Sequence, residues 1–350
     1  MFWPWERSFC FNNRLKCPEI LDFVPCTCQS NRAVLGWRFK GKNVIRHYMS
    51  RSLSTLSLTP DEITCLLKLF PKGVVGVDLE TTGLSPLVDK IIEIAAVKVS
   101  PDGMVTTYHQ LINPLIDIPE FTIQFHGLRN QDLSLAPTIK KPLKEFWNFT
   151  ERLPMIAHNS TFDLGYLIKS CHDFQIEFPP LDIYDSCRYS RALYKSMEGA
   201  PLNFKLSTLC EFFKIPFKHH VAIEDTFACL KVTAACATLA EQDHKKALEK
   251  SFVFRLSSFN KNECFNYSTR LLALKDLVQS KELVQLDYRG KGTLGRNRPV
   301  RPIGLMPLPK GPVLFAQCLL TGMNKSFLLK KIKSYSRLEA SLWSNGGSLD

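Results

Sequence analysis

The sequence has no apolar run near the ~18 residues that a membrane-spanning helix requires, which excludes an integral membrane protein built on such helices. Its 12 cysteines contain no C-x-x-C pair, so neither a zinc ribbon nor a small disulfide scaffold is indicated. Internal repeats and low-complexity tracts are missing as well. The 350 residues are 45% hydrophobic and 22% charged, which is enough for two globular domains without disulfides. Reduced thiols favour a cytoplasmic protein.

Positive charge is in excess, at +12 overall, and it is unevenly placed. Residues 1–70 carry a net +5, residues 71–240 a net −3 and residues 241–350 a net +10. A slightly acidic centre between basic flanks is typical of an enzyme that holds cations and a polyanion. A solvated basic face would give the same totals, so charge alone leaves both interpretations open.

The first 58 residues have no clear hydrophobic period. Residues 30–59 are basic and Ser-rich without an acid, as in a transit peptide, but the acids upstream weaken that interpretation. We expect residues 1–58 to be a poorly ordered or artefactual N-terminal segment, with Met49 as an alternative start.

Residues 59–241 alternate between strand and helix patterns. A helix begins after Thr59, whose hydroxyl can cap it. The predicted strands are 74–80, 90–100, 104–114, 153–157 and 181–184, and the predicted helices are 131–151, 161–172, 186–197, 205–214 and 223–241. This order predicts an α/β layered domain.

The remainder of the chain changes character. Residues 242–268 are polar and are predicted to be a linker. Residues 269–338 are predicted to form a separate small β domain, followed by a tail at 339–350. Its pattern consists of a short helix at 269–280 and strands at 283–289, 298–306, 312–319 and 325–333.

Two acids lie two residues apart in the apolar strand that begins at Val74. Side chains alternate across a strand, so Asp78 and Glu80 share one face. Burying both costs several kcal/mol unless cations compensate, and Mg²⁺ and Mn²⁺ prefer carboxylate ligands. An edge strand with a solvated acidic face is the alternative.

Two further acids lie at predicted helix starts. Asp163 follows a short apolar strand, at the sheet edge where ligands of α/β folds gather, and Asp225 opens the last long helix. Both positions also suit an acid that merely stabilises the helix dipole. His220 precedes Asp225 and adds a base that titrates near neutral pH.

Together these segments resemble, in order and spacing, the motifs of the DEDDh exonuclease family, which includes the proofreading epsilon subunit of bacterial DNA polymerase III. The resemblance covers residues 72–240. A tyrosine subclass would have Tyr at the position of Val221, so the histidine subclass is indicated. The segments that carry the resemblance are Val77 to Leu84, His158-Asn159 with Phe162-Asp163, His220-x-Ala222-x-x-Asp225, and the weaker stretch His126-Gly127-Leu128.

The resemblance implies an RNase H-like mixed five-stranded sheet flanked by helices, and two divalent metal ions, Mg²⁺ or Mn²⁺. Asp78, Glu80 and Asp225 would hold the first ion, and Asp78 with Asp163 the second. His220 would be the general base. The implied substrate-binding residues are Thr81, Thr82, Leu84, His158, Asn159 and Phe162.

The expected reaction releases nucleoside 5′-monophosphates from a single-stranded 3′ end, with DNA favoured over RNA. Proofreading, repair and replication are the expected settings, with a DNA polymerase or repair complex as partner, and pairing into a homodimer is left open. An RNA-trimming exoribonuclease is the alternative, and a catalytically silent nucleic-acid sensor is a third interpretation.

The predicted β domain contains four patterned stretches: Leu283 to Tyr288, Arg298-x-x-Arg301-Pro302 with Leu305, Leu314-x-Ala316, and Lys325 to Ile332. In these stretches it resembles a divergent WYL domain, a small all-β module with an Sm-like barrel. The naming Trp-Tyr-Leu triplet corresponds here to Pro312-Val313-Leu314, so the usual ligand pocket is not implied. Residues 281–337 carry 12 Lys and Arg against two acids, which suits phosphate contact or a merely soluble basic face. The predicted nucleic-acid patch consists of Arg289, Arg296, Arg298, Arg301, Lys330 and Lys331.

Overall fold

The structure is a computed structural model. It describes residues 56–194, 197–216, 221–239, 242–260, 269–289, 297–306, 308 and 311–338. The predictions that lie outside these residues concern positions 1–55, His220, Arg296 and the tail at 339–350.

The described residues up to 260 form one mixed sheet and its covering helices. The strands are β1 (Val74–Thr81), β2 (Ile91–Val99), β3 (Val105–Leu111), β4 (Met155–Ala157), β5 (Asp182–Asp185) and β6 (Phe252–Arg255). The helices are α1 (Pro60–Leu69), α2 (Glu120–His126), α3 (Asn130–Leu133), α4 (Lys140–Thr150), α5 (Thr161–Asp173), α6 (Ser186–Tyr194), α7 (Leu206–Phe212), α8 (Ala222–Ala237) and α9 (His244–Ser251).

The strand order places β1 inside the sheet, as β3–β2–β1–β4–β5–β6. β1, β2 and β3 are antiparallel neighbours, β4 and β5 run parallel to β1, and β6 returns antiparallel to β5. The mixed α/β sheet flanked by helices is therefore confirmed. Because β1 has a partner on each side, its carboxylates cannot lie on an edge strand.

The predicted number of five strands is wrong, because β6 is added from the segment that was predicted to be a linker. That segment also contains α9 and a 3-10 turn at Leu256–Asn260. Aromatic rings explain the pairing, since Phe252 packs edge-on against Tyr184 of β5 and Phe254 against Phe259. A short aromatic strand can join a sheet edge even when its flanks are polar.

The single helix predicted at 131–151 is wrong, because the structure has two helices there, α3 and α4. Pro137 separates them, since a proline disfavours helical backbone at the residue before it. The Pro137 carbonyl instead accepts a hydrogen bond from the Asn113 backbone at 3.0 Å.

Hydrophobic cores lie on both faces of β1. Val75, Val77 and Leu79 pack into one core with Phe146 of α4 and Leu164 of α5. On the opposite face, Val74 packs with Phe227 and Leu230 of α8. Asp78 and Glu80 share that second face, so α8 lies over the strand that carries them.

The described residues from 269 onward form a second sheet and one helix. They are α10 (Thr269–Ser280), β7 (Val284–Tyr288), β8 (Asn297–Met306), β9 (Val313–Cys318), β10 (Asn324–Leu328) and β11 (Ile332–Arg337). All pairings are antiparallel in the order β10–β9–β8–β7–β11, which confirms a C-terminal all-β unit. Its closure into an Sm-like barrel and its WYL-like character stay predictions.

The strand predicted at 325–333 is interrupted. A 3-10 turn at Leu329–Lys331 separates β10 from β11, because Leu329 turns into the core and its backbone donates to Pro312 at 3.0 Å. The two strands then pair at opposite edges of the sheet.

The second sheet packs directly on the first domain. Met306, Val313 and Phe315 belong to the same hydrophobic core as Leu79 and Leu164. Its other face forms a separate core with α10. Among the described residues, no helix is long and apolar enough to cross a membrane.

A substitution at Gly76 tests the close contact between β1 and α8. A Cβ at Gly76 would lie 2.9 Å from Leu230 Cγ and 3.1 Å from Thr226 Cγ2, so Gly76→Ala must push α8 away from β1. We expect a loss of about 1–3 kcal/mol in the free energy of unfolding, measured by urea denaturation. Thr107→Val, at an exposed position of β3, should change it by less than about 0.5 kcal/mol. Equal stabilities would refute this close contact.

Candidate active site

The first two acids of the site are held by β1. Val77 and Leu79 are buried in the core below the sheet, which turns Asp78 and Glu80 toward α8. Glu80 pairs across the strands with Glu93 of β2. The β1 register therefore brings carboxylates together rather than spreading them over the surface.

The third acid comes from the first turn of α8. The Asp225 backbone donates to the Val221 carbonyl at 3.0 Å, so the residue is held at the helix start. Carboxylate oxygens of Asp78, Glu80 and Asp225 all lie within 4.8 Å of one another. The three side chains come from two elements that are 140 residues apart in the chain, and only the fold brings them together.

The fourth acid, Asp163, lies in the first turn of α5 and is 3% exposed. Asn159 precedes this helix with a left-handed φ of 63°, which redirects the chain from β4 into α5. A backbone hydrogen bond links the Asp163 carboxylate to Leu79 of β1. The structure thus places Asp163 beside the strand that carries Asp78 and Glu80.

Burial and mutual repulsion govern the charge of this cluster. Burial, followed by repulsion from Asp163 and Asp225, raises the pKa of Asp78 well above its usual range. Burial and neighbouring carboxylates raise the pKa of Glu80 to about 9. Burial likewise raises the pKa of Asp163 to about 8, although its backbone hydrogen bonds oppose the rise. A divalent cation would relieve all of these, and an all-carboxylate donor set fits Mg²⁺ or Mn²⁺.

Sequence reasoning missed a fifth carboxylate. Glu93 of β2 is 2% exposed, lies opposite Glu80 and contacts His109 Nε2 of β3 at 2.5 Å. The signal was present in the sequence, because Glu93 interrupts the apolar run from Ile91 to Val97. Only the strand register shows that it lies beside the site.

The predicted substrate residues divide into two groups. Thr81 and Thr82 are buried: the Thr81 hydroxyl donates to the Gly83 carbonyl at 2.7 Å, and the Thr82 hydroxyl accepts from the Lys90 backbone at 2.9 Å. Their side chains stabilise the loop after β1. His158 has a similar place, since its ring nitrogens contact Ser186 Oγ and the Phe204 carbonyl, both at 2.9 Å. Burial lowers the pKa of His158, which favours the neutral ring.

The other three predicted substrate residues line a common cavity. Leu84 is 55% exposed after the β1 loop, Asn159 is exposed, and Phe162 is half-buried with its ring 5.2 Å from that of Tyr166. Their side chains are therefore available to a ligand beside Asp163.

The predicted basic patch is brought together only in part. Arg289, Lys330 and Lys331 are exposed, and the Arg289 backbone donates to the Lys331 carbonyl at 2.9 Å. Arg301 is exposed on β8, opposite Gln317. Arg298 is 6% exposed, so its prediction as a surface contact is wrong: the β8 alternation turns it to the same side as the buried Val300.

Comparison with known proteins matches residues 75–233 to the RNase_T family, described as exonuclease. DNA polymerase III PolC-type from Caldanaerobacter subterraneus subsp. tengcongensis is 34% identical over 156 residues, which are 44% of this chain and 11% of that protein. The PolC-type polymerase from Thermotoga maritima is 36% identical over 155 residues, 43% and 11% of the two chains. This chain therefore spans about a tenth of the length of these curated relatives.

Solved structures show a weaker likeness. The nuclease domain of 3'hExo, a DEDDh family member bound to rAMP, is 17% identical with a TM-score of 0.43, over 53% of this chain and 97% of that one. Exonuclease X in complex with 5' overhanging duplex DNA is 18% identical with a TM-score of 0.39, over 51% and 99%.

The carboxylate cluster predicts an unusual pH dependence of stability. Unfolded Asp and Glu ionise near pH 4, whereas Asp78, Glu80 and Asp163 resist ionisation in the fold, so unfolding releases protons between about pH 4 and 9. In EDTA, the melting temperature of the wild type should fall as pH rises from 5 to 9. Asp78→Asn should reduce that fall by about 2–4 °C, measured by differential scanning calorimetry.

The matched control is Glu177→Gln, which changes an exposed acid that is not part of the carboxylate cluster. Its melting temperature should depend on pH as that of the wild type does. Added Mn²⁺ should raise the wild-type melting temperature most at high pH. A wild-type profile parallel to that of Asp78→Asn would contradict the electrostatic account.

Proposed function

We propose that the chain is a metal-dependent 3′–5′ exonuclease of the DEDDh type, because residues 75–233 match the RNase_T exonuclease family. Its substrate is single-stranded DNA and its products are nucleoside 5′-monophosphates. The observation that carries the proposal is the convergence, within 4.8 Å, of carboxylate oxygens of Asp78 and Glu80 on the interior strand β1 with one of Asp225 at the start of α8. Repulsion among these carboxylates destabilises the folded state unless a bound cation compensates it.

The four acids have distinct positions for holding metal. Asp78, Glu80 and Asp225 would hold one divalent cation, and Asp78 together with Asp163 would hold a second. Two bound cations supply charge stabilisation for both the attacking and the leaving oxygen of an in-line displacement. Glu93, behind Glu80 and in contact with His109, adds negative charge that favours cation binding.

His220 is proposed as the general base. It would take a proton from the attacking water as the water oxygen bonds to phosphorus and the bond to the 3′ oxygen breaks. The 3′ oxygen of the shortened strand takes the electron pair of the broken bond and a proton from solvent to become a hydroxyl, and the product carries the 5′-phosphate. His158 is not a candidate for this role, because both of its ring nitrogens are engaged by Ser186 and Phe204.

The names of the relatives favour DNA as the substrate, since both are DNA polymerases III of the PolC type. A DNA polymerase or a repair complex is the corresponding partner. Exposed basic residues on the C-terminal sheet, Arg289, Lys330 and Lys331, would bind substrate phosphates without reading sequence.

The decisive assay uses 5′-labelled single-stranded DNA and RNA of one sequence, each with Mg²⁺, Mn²⁺ or EDTA. We expect a metal-dependent ladder that shortens from the 3′ end, faster on DNA. Asp78→Asn should lower the rate by about a thousandfold or more, because it removes a shared metal ligand. Faster digestion of RNA would favour the exoribonuclease, and binding without digestion would favour the silent sensor.

His220→Gln separates the base from the metal site. The rate constant kcat should fall by about 10²–10⁴-fold, while Mn²⁺ affinity measured by calorimetry stays within about twofold. The wild-type rate should rise with pH as the proposed base loses its proton, and this rise should vanish in the variant. An unchanged pH–rate profile would exclude His220 as the base.

A further inference from the structure

The C-terminal sheet contacts the loop that follows β1, next to the acids. The Asn324 side chain of β10 hydrogen-bonds the Asp89 carboxylate, which itself accepts the Ser85 backbone N–H at 2.8 Å. Gly304 of β8 approaches so closely that a Cβ there would lie 2.5 Å from Leu87 Cδ1. The sheet is therefore seated on the nuclease domain beside the site rather than held away from it.

A cavity of about 290 Å³ opens between the sheet and the nuclease domain. Leu84, Asn159, Thr161 and Phe162 line it from the nuclease side. This volume is at the lower end of the range for small-molecule sites, so it suits one flat ring system rather than an extended ligand. Phe162 directly precedes Asp163 in α5, so a residue of the cavity wall is the chain neighbour of one acid of the site.

The opposite wall belongs to the C-terminal sheet. Tyr288 ends β7, and Ser326 and Leu328 lie on the same face of β10. The Tyr288 ring is held edge-on against Phe327 at 5.2 Å between centroids. Ser326 is exposed and borders the opening. No residue of this wall belongs to the exonuclease domain.

The chemistry of the walls matches a nucleobase. Aromatic and aliphatic side chains from both sides can cover the flat faces of a base, as in single-strand binding sites. Two polar side chains that line the cavity, Asn159 and Ser326, are exposed and can bond the polar edge of a base.

Three exposed basic residues follow the residues of the C-terminal sheet that line the cavity. Arg289 follows Tyr288, and Lys330 and Lys331 follow Leu328 after one residue, all three exposed. A strand whose base occupies the cavity would place its phosphates toward these side chains. This charge complementarity favours a polynucleotide over a free nucleoside.

We propose that the cavity binds the nucleobase on the 5′ side of the nucleotide that is removed, with the C-terminal sheet as the second wall of the substrate groove. The inference rests on the proposed exonuclease function and extends it to substrate choice. A base enclosed between two walls cannot remain paired, so the sheet makes the enzyme selective for single strands.

The test is a binding measurement that does not require hydrolysis. Fluorescence anisotropy in EDTA gives the Kd of a labelled single-stranded DNA decamer for the wild type, Ser326→Trp and Ser336→Trp. Trp at 326 fills the opening, so its Kd should rise about tenfold or more. Ser336 is an exposed serine of β11, opposite Gln285 and outside the cavity, so its variant should bind like the wild type.

Two further variants keep the test independent of misfolding. Asn159→Gly tolerates the left-handed φ of 63° and removes the side-chain amide, so Kd should rise about threefold to tenfold with the melting temperature nearly unchanged. Replacing Arg289, Lys330 and Lys331 by Ala should reduce the slope of log Kd against log salt by about two. Arg337→Ala, at the far end of β11 and paired with Glu282 at 2.8 Å, is the matched charge control.

The outcomes separate the two proposals. Equal affinities of Ser326→Trp, Asn159→Gly and the wild type would overturn the cavity assignment, whatever the activity. If the variants show the predicted affinity differences but the wild type hydrolyses neither DNA nor RNA with metal, the exonuclease function is overturned. The cavity then remains a single-strand binding site.

Discussion

Repulsion among buried carboxylates is the constraint on which the rest of this structure depends. Asp78, Glu80, Asp163 and Asp225 come from one interior strand and two helix starts, and burial opposes the ionisation of the first three. Such a cluster would normally be selected against, because each unpaired buried charge costs several kcal/mol. Here the surrounding fold holds the acids in place: β1 is anchored on both faces by hydrophobic cores, and Gly76 lets α8 approach closely.

Hydrogen bonds connect the loop after β1 to α5 and to the C-terminal sheet. Tyr166 of α5 donates to the Gly83 carbonyl at 2.7 Å, and Asp89 closes the loop by accepting from Ser85. The C-terminal sheet rests on this loop through Asn324. Direct contacts therefore link the carboxylate cluster, the loop after β1 and the C-terminal sheet. The proposed substrate wall belongs to a sheet that contacts the loop following the acids of β1.

Local chemistry placed the candidate acids on particular elements, and the resemblance to a known family combined them into one predicted site. Alternation along β1 put Asp78 and Glu80 on one face, and helix-start signals located Asp163. Features that depend on long-range contacts could not be found in this way. The pairing of Glu80 with Glu93 depends on strand register, β6 depends on its aromatic contact with β5, and the burial of Arg298 depends on the alternation within β8. The cavity between two domains has no local signal at all.

Proton release on metal binding tests the central claim most directly. Calorimetric titration of Mn²⁺ at pH 7, repeated in buffers of different ionisation enthalpy, counts the protons that the protein loses. With the pKa of Glu80 near 9 and that of Asp163 near 8, binding should release about one proton or more per protein. Binding without proton release, or no binding at all, would contradict the account of a carboxylate cluster built for a cation.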